Sequence, residues 1–192
     1  MKLLLLIAAA SAFAQEAPTR VLIAFHSETG NTEKLARAIQ AGAASVAGVN
    51  PVLRRAADVT DEDILNADGL IVGTPVQWAN LTVETKRLLD RVGAVLWRAK
   101  KNGDGRTAGA FCTGGGVAMG KDTARWSVLS ALLTMRFVVV GGVDNAGFGT
   151  LGPEATTGRD DPGISAKEEK EARQFGERFA RMTNQIRSRA VP

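Results

Sequence analysis

The chain has 192 residues, a formal net charge of +4, one cysteine and one histidine. That length supports one sizeable core and not two ordinary domains, so any site must be built within a single fold. The lone Cys112 excludes an internal disulfide, one His with one Cys gives too few nitrogen and sulfur ligands for zinc, and the late arginines sit among acids as on a solvated face, which excludes a nucleic-acid stripe.

The first residues read as an address. Lys2 precedes an apolar run over residues 3–10, and Ala12-Phe13-Ala14 places small residues at both ends of a cleavage site before Gln15. Residues 1–14 are therefore expected to be a secretory signal peptide. The run is far short of the roughly 20 residues that cross a bilayer, and no later segment reaches that length, so no membrane span is expected. No twin-arginine pair precedes the run and no cysteine stands at the cleavage point. The expectation is export of an unfolded chain to the periplasm or the cell exterior, with any cofactor bound after translocation. The folded domain then covers residues 20–190.

Residues 21–25, VLIAF, form an apolar strand that runs through His26 into Ser27, Glu28, Thr29, Gly30, Asn31 and Thr32, and a helical pattern of Leu35, Ile39, Ala43 and Val46 follows at once. Hydroxyls at Ser27, Thr29 and Thr32, a glycine that lets backbone come close, and the free N–H groups of a helix start all face one point. Such a loop holds a phosphate dianion without any Lys or Arg. Residues 51–56 read as a second, more exposed strand and 61–67 as a short helix. Residues 69–74, GLIVGT, read as a buried parallel strand that runs into the loop 75–80, which carries Val76, Gln77 and Trp78. Leu88, Leu89, Val92 and Leu96 mark a third helix ending near Trp97. After the turn Asn102-Gly103-Asp104-Gly105, residues 107–113 read as a fourth strand leading through Thr113 into Gly114, Gly115, Gly116, Val117 and Ala118. Val128, Leu129, Leu132 and Leu133 mark a fourth helix, and residues 137–140 a fifth strand. Residues 141–163, rich in Gly, Asp, Thr and Pro, are too long for a simple connection and are expected to cap the site or an interface. Ser165-Ala166-Lys167-Glu168 is a capping box that opens a long amphipathic helix through Ala172, Phe175, Phe179, Met182 and Ile186.

Five strands alternating with helices predict a single α/β domain, a doubly wound parallel sheet with helices on both faces. Ligands in such sheets sit beyond the carboxyl ends of the strands, near the switch in winding direction. In a flavodoxin-like strand order the first, third and fourth strands are neighbours. The loops 27–32, 75–80 and 113–120 would then converge.

At these residues the chain resembles the flavodoxin-like superfamily, and more closely the tryptophan-repressor-binding-protein type of NAD(P)H:quinone oxidoreductase. The resemblance runs over about residues 21–183. SETGNT resembles that family's FMN phosphate loop, and GTPVQWANLTVETKRLLD its segment of GTP, an aromatic residue and an Asn followed by a helix ending in LD. Leu96-Trp97 resembles its substrate-side tryptophan. TGGGVA and ATTGRDDPGISAKEEKEAR match in kind. The resemblance implies FMN as cofactor, with Ser27, Glu28, Thr29, Gly30, Asn31 and Thr32 at its phosphate, and Val76, Gln77, Trp78, Thr113, Gly114, Gly115, Gly116, Val117 and Ala118 at its ring. It also implies NAD(P)H as hydride donor, a quinone or similar small acceptor beside Trp97, and a homo-oligomer, either a tetramer or a dimer.

Plainer roles compete at several positions. Trp97 could merely pack under the next turn, and Cys112, within a strand pattern, reads as a small buried residue. A phosphatase loop would need an Arg six residues after its Cys, where Ala118 stands. His26 reads as a hydrogen-bonded structural residue more than as a proton donor. Glu28 puts a negative charge into the anion loop unless its side chain turns away. The chain also departs from its resemblance: an ungapped alignment sets Met135 where close relatives carry a His that reaches the flavin ring, with Arg136 beside it as a substitute positive charge. The third loop lacks interspersed hydroxyls, and export is unusual for a cytoplasmic family.

The expected activity is FMN-dependent, two-electron reduction of quinones by NAD(P)H, with no side chain needed as acid or base. Two alternatives stand beside it. One is a flavodoxin-type one-electron carrier, disfavoured by the slightly basic charge. The other is a binding or oligomerisation module that keeps the fold without redox chemistry.

Overall fold

The computed structural model describes residues 17–143, 150–158 and 160–190. The expected signal peptide, residues 1–14, lies outside the described residues. The elements in chain order are β1 (Thr19–Phe25), α1 (Asn31–Ala44), β2 (Val49–Arg55), α2 (Asp61–Leu65), β3 (Gly69–Pro75), α3 (Val83–Arg98), β4 (Thr107–Gly114), α4 (Lys121–Thr134), β5 (Val138–Val139), β6 (Glu154–Thr156) and α5 (Ala166–Ala190). The first five strands form a parallel sheet in the order β2-β1-β3-β4-β5. This is the doubly wound, flavodoxin-like order expected. Among the described residues no helix is long and apolar enough to cross a membrane.

Alternation along the strands divides the core in two. Val21, Ile23 and Phe25 of β1 pack with Leu35 and Ile39 of α1 and with Phe175 and Phe179 of α5. Leu22 and Ala24 face the other way, against Leu88, Leu89 and Val92 of α3 and Val128, Leu129 and Leu132 of α4. Helices α1 and α5 approach until their backbones touch. A Cβ on Gly42 would overlap the carbonyl oxygen of Arg173, and one on Gly176 that of Ile39, so glycine is required at both for steric and not conformational reasons.

The segment 141–163 holds the main departure from the sequence reading. The fifth strand is only two residues long and pairs with the start of β4, at Thr107 and Ala108. A sixth strand, β6, then pairs in parallel with the far end of β4, at Cys112, Thr113 and Gly114. One edge of β4 is thus shared between two short strands. Gly152, at φ 120°, lets the chain return against β4, where a Cβ would overlap the carbonyl oxygen of Ala110. A three-residue strand whose partner is set by tertiary contacts leaves little periodic signal. From β6 the chain passes to α5, whose capping box forms as read. The Glu168 carboxylate accepts from the amides of Ser165 and Thr156, both at 2.7 Å, and although partial burial pushes the other way these bonds hold its pKa below the ordinary range.

Candidate functional site

The loop after β1 is organised by Ser27. Its Oγ accepts from the amides of Gly30 (3.2 Å) and Glu33 (3.3 Å), and Gly30 at φ 95° turns the chain into α1. With both lone pairs engaged, the Ser27 hydroxyl proton is left to donate outward. Thr29 Oγ1 accepts from Asn31 Nδ2 at 3.1 Å and keeps its own proton in the same way. The amides of Asn31 and Thr32 have no acceptor among the described residues, and they stand at the positive end of α1. Hydroxyl and amide donors of this kind at a helix start suit an anion with several oxygens.

Asn31 and Thr32 are buried and each does a second job that the sequence does not announce. Asn31 Nδ2 also donates to Asp161 Oδ1 at 2.6 Å, which ties the segment after β6 to the first loop. Thr32 Oγ1 and Thr113 Oγ1 are hydrogen-bonded at 2.7 Å, which ties the first loop to the third. Arg55 braces the cradle from behind by donating to the Ser27 carbonyl at 3.3 Å, and it pairs with Glu33. Glu28 turns away from the cradle and accepts from Gln77 Nε2 at 2.6 Å. Its charge is thus spent on joining the first and second loops.

The second loop is strained in a telling way. Gln77 and Asn80 exchange backbone hydrogen bonds of 2.9 and 3.0 Å around Trp78 and Ala79, at φ 48° and 61°. Two consecutive positive φ angles make this a type I′ turn, which favours Asn and Gly because an L side chain in that region costs about 1–2 kcal/mol. Trp78 is 100 % exposed, so no packing among the described residues offsets the strain. A strained turn that holds out a bare indole points to a ligand.

Opposite it, Gly120 (φ 82°) lies so close that a Cβ would overlap the backbone of Ala79, and Val76 donates its N–H to the Thr113 carbonyl at 2.8 Å. The second and third loops enclose a cavity of about 540 Å³ lined by Val76, Trp78, Ala79, Gly115, Ala118 and Met119. Its size and apolar walls suit a flat aromatic ring. Of the predicted residues, Gly114 packs on the stem of Lys121, Gly116 lies against Met119, and Val117 sits exposed on the outer turn, away from the cavity lining. Ala79, Met119 and Gly120 lie within the loops 75–80 and 113–120 expected to converge, but not among the ring residues that the resemblance implies.

A buried ionic cluster supports the third loop. Lys121, at 4 % side-chain exposure, pairs with Glu154 at 2.7 Å and donates to Thr156 Oγ1 at 2.6 Å. Arg125, equally buried, pairs with Glu154 and Asp122 and donates to the Gly152 carbonyl. Two cations on α4 thereby fasten β6 to the end of β4. Cys112 beneath them is fully buried, and burial pushes its thiol up to about 12, so it is no nucleophile at neutral pH. His26 is structural as read: Nδ1 bonds Thr82 Oγ1 at 3.0 Å, and Thr82 in turn caps α3.

Trp97 is not brought to these loops. It lies near the far end of α3, about 21 Å along the axis from Val83 beside the second loop. Met135 and Arg136 follow α4 at that same far edge, where Met135 lines a cavity with Trp97 and Arg136 pairs with Asp104 at 2.8 Å. Within one chain, then, Arg136 does not supply the positive charge that the ungapped alignment suggested for the ring. Helix direction, which that alignment ignores, is the reason.

The family model for NADPH-dependent FMN reductase matches residues 19–148. A flavodoxin of Aquifex aeolicus is 37 % identical over 128 residues, covering 67 % of this chain and 68 % of that protein. An NAD(P)H dehydrogenase (quinone) of Acidithiobacillus ferrooxidans is 29 % identical over 143 residues, covering 64 % of this chain and 70 % of that one. Among solved structures, a WrbA-like flavodoxin of Agrobacterium tumefaciens superposes with a TM-score of 0.69 at 20 % identity, covering 87 % of this chain and 98 % of the other.

Proposed function

The chain belongs to the NADPH-dependent FMN reductase family, and we propose that it is an oxidoreductase of the NAD(P)H:quinone type, passing two electrons from a nicotinamide cofactor through bound FMN to a quinone. The observation that carries this reading is the presence on one domain of a hydroxyl and amide anion cradle at the start of α1 and of a strained, bare Trp78 beside an apolar cavity. Relatives named as quinone dehydrogenases support the acceptor class.

The residues present fit FMN. Ser27, Thr29 and the amides of Asn31 and Thr32 would hold its phosphate, and Trp78 with Val76, Gly115 and Ala118 its ring. When bound, the flavin supplies the hydride chemistry. The chain's part is to orient and to exclude water, with Trp78 covering one face. Donor and acceptor would use the same cavity in turn, the one beside Trp78. Initial rates with NADPH and a quinone varied together should therefore give parallel double-reciprocal lines, and lines that intersect would show that both ligands bind at once. Trp97, at the far edge, takes part only if a second copy brings it to the ring, so a homo-oligomer belongs to this reading.

A one-electron carrier is the competing assignment, favoured by the identity to the Aquifex flavodoxin. The positive net charge weighs against it, since such carriers use acidic surfaces to steer to basic partners. Export completes the proposal, resting on Lys2, the apolar run 3–10 and Ala12-Phe13-Ala14. N-terminal sequencing of the protein from its native cells should begin at Gln15 in the exported fraction; an intact Met1 or Lys2 on cytoplasmic protein would refute export.

A further inference from the structure

The cavity at the opposite edge of the sheet from the strand-end loops has a character of its own. About 800 Å³ in volume, it has an apolar floor of Gly93, Leu96 and Met135, and beside it stands Trp97, 84 % exposed. The Met135 side chain lies over Gly93, where a Cβ would come within 3.2 Å of its Cε. The rim carries Arg98, Lys100, Lys101 and Arg136. Arg98 pairs with Asp61 at 3.2 Å and Arg136 with Asp104 at 2.8 Å, while Lys100 and Lys101 have no carboxylate partner among the described residues. Positive charge remains in excess even against the negative ends of α3 and α4, worth about half a charge each.

The backbone gives a second, independent sign. Helices α3 and α4 both end here in the same motif. Lys100 N–H bonds the Trp97 carbonyl and Lys101 N–H that of Leu96, while Arg136 N–H bonds the Leu133 carbonyl and Phe137 N–H that of Leu132. This is the Schellman pattern, whose left-handed residue is usually glycine. Here it is Lys100 (φ 54°) in one helix and Arg136 (φ 72°) in the other. A cation near a helix end gains something from the dipole, but less than a left-handed L residue costs. Two adjacent helices accept that strain at the positions that set cations on the rim of an apolar, Trp-walled cavity.

We propose that this cavity binds a planar aromatic anion, the indole of Trp97 stacking on the ring and the rim cations holding its acidic group. Its ligand carries a carboxylate or sulfonate on the ring, and its binding does not depend on the reductase reading above.

The test uses the full folded chain without FMN, with anthraquinone-2-sulfonate and its uncharged analogue 2-(hydroxymethyl)anthraquinone as probes, followed by calorimetry. The sulfonate should bind about tenfold more tightly than the neutral ring, and added salt should erode that preference. Trp97→Ala should weaken both probes. The double variant Lys100→Gly/Arg136→Gly removes two cations and installs the residue that the backbone favours, so its melting temperature should hold or rise while the preference for the sulfonate falls to about threefold or less. A purely structural role for these cations predicts no change in that preference. Equal binding of both probes, no binding of either, or a preference that survives the double variant would overturn the proposal.

Discussion

Riboflavin should bind the flavin-free protein on the order of ten-thousandfold more weakly than FMN, since four charge-assisted hydrogen bonds of about 1.5 kcal/mol each are lost with the phosphate. The donors are specific: the outward protons of Ser27 and Thr29 and the unpartnered amides of Asn31 and Thr32 at the start of α1. These hydroxyls and amides act at hydrogen-bond range. The affinity should therefore depend on geometry more than on salt. Replacing Thr29 and Thr32 together by Ala should lose FMN affinity by about one to two decades, corresponding to about 1–3 kcal/mol, and leave riboflavin nearly unchanged. Thr32→Ala also removes the bond to Thr113. Part of the loss then reflects loosening between the first and third loops. Fluorescence titration of both flavins measures this directly, and equal affinities would remove the phosphate assignment.

Trp78→Gly should separate binding from stability. Stacking of a flat ring on an aromatic side chain contributes about 1–3 kcal/mol, so FMN affinity should fall by about one to two decades. Most substitutions of a Trp destabilise, but this one should not. The indole is fully exposed and sits at φ 48°, so glycine relieves about 1–2 kcal/mol of backbone strain at a partly offsetting cost in unfolded-state entropy. Unfolding in denaturant should show equal or slightly greater stability alongside the weakened flavin. A clear loss of stability would mean that Trp78 packs within the protein, and that its exposure on this turn has another cause.

Much of this was legible in the chain because local and global preferences agree between residues 19 and 140. The run VLIAF closed by SETGNT is a strand, a turn and a helix start in any context, and GLIVGT can hardly be other than a buried parallel strand. The capping box at Ser165 formed for the same reason. What stayed hidden depends on partners distant in sequence. Strand β6 exists because Lys121 and Arg125 hold Glu154, and because Gly152 clears the carbonyl of Ala110. Asn31 looks like a phosphate ligand in sequence, whereas its side chain is engaged by Asp161, 130 residues away. The turn at Trp78-Ala79 has no Asn or Gly to announce it; only its hydrogen bonds and dihedral angles do. Trp97 and Met135 carry a resemblance to a ring site, yet the direction of α3 and α4 sets them at the other edge, where they shape a different cavity.

The most direct measurement is anaerobic addition of NADPH to the purified, FMN-loaded protein, followed by addition of a quinone, with the visible flavin absorbance recorded throughout. The protein should take up FMN, bleach in a single two-electron step with one equivalent of NADPH, and recover its full absorbance when the quinone is added. Failure to take up FMN, or uptake followed by no bleaching with either nicotinamide cofactor while a chemical reductant titrates the flavin in two separate one-electron steps, would contradict the reductase reading.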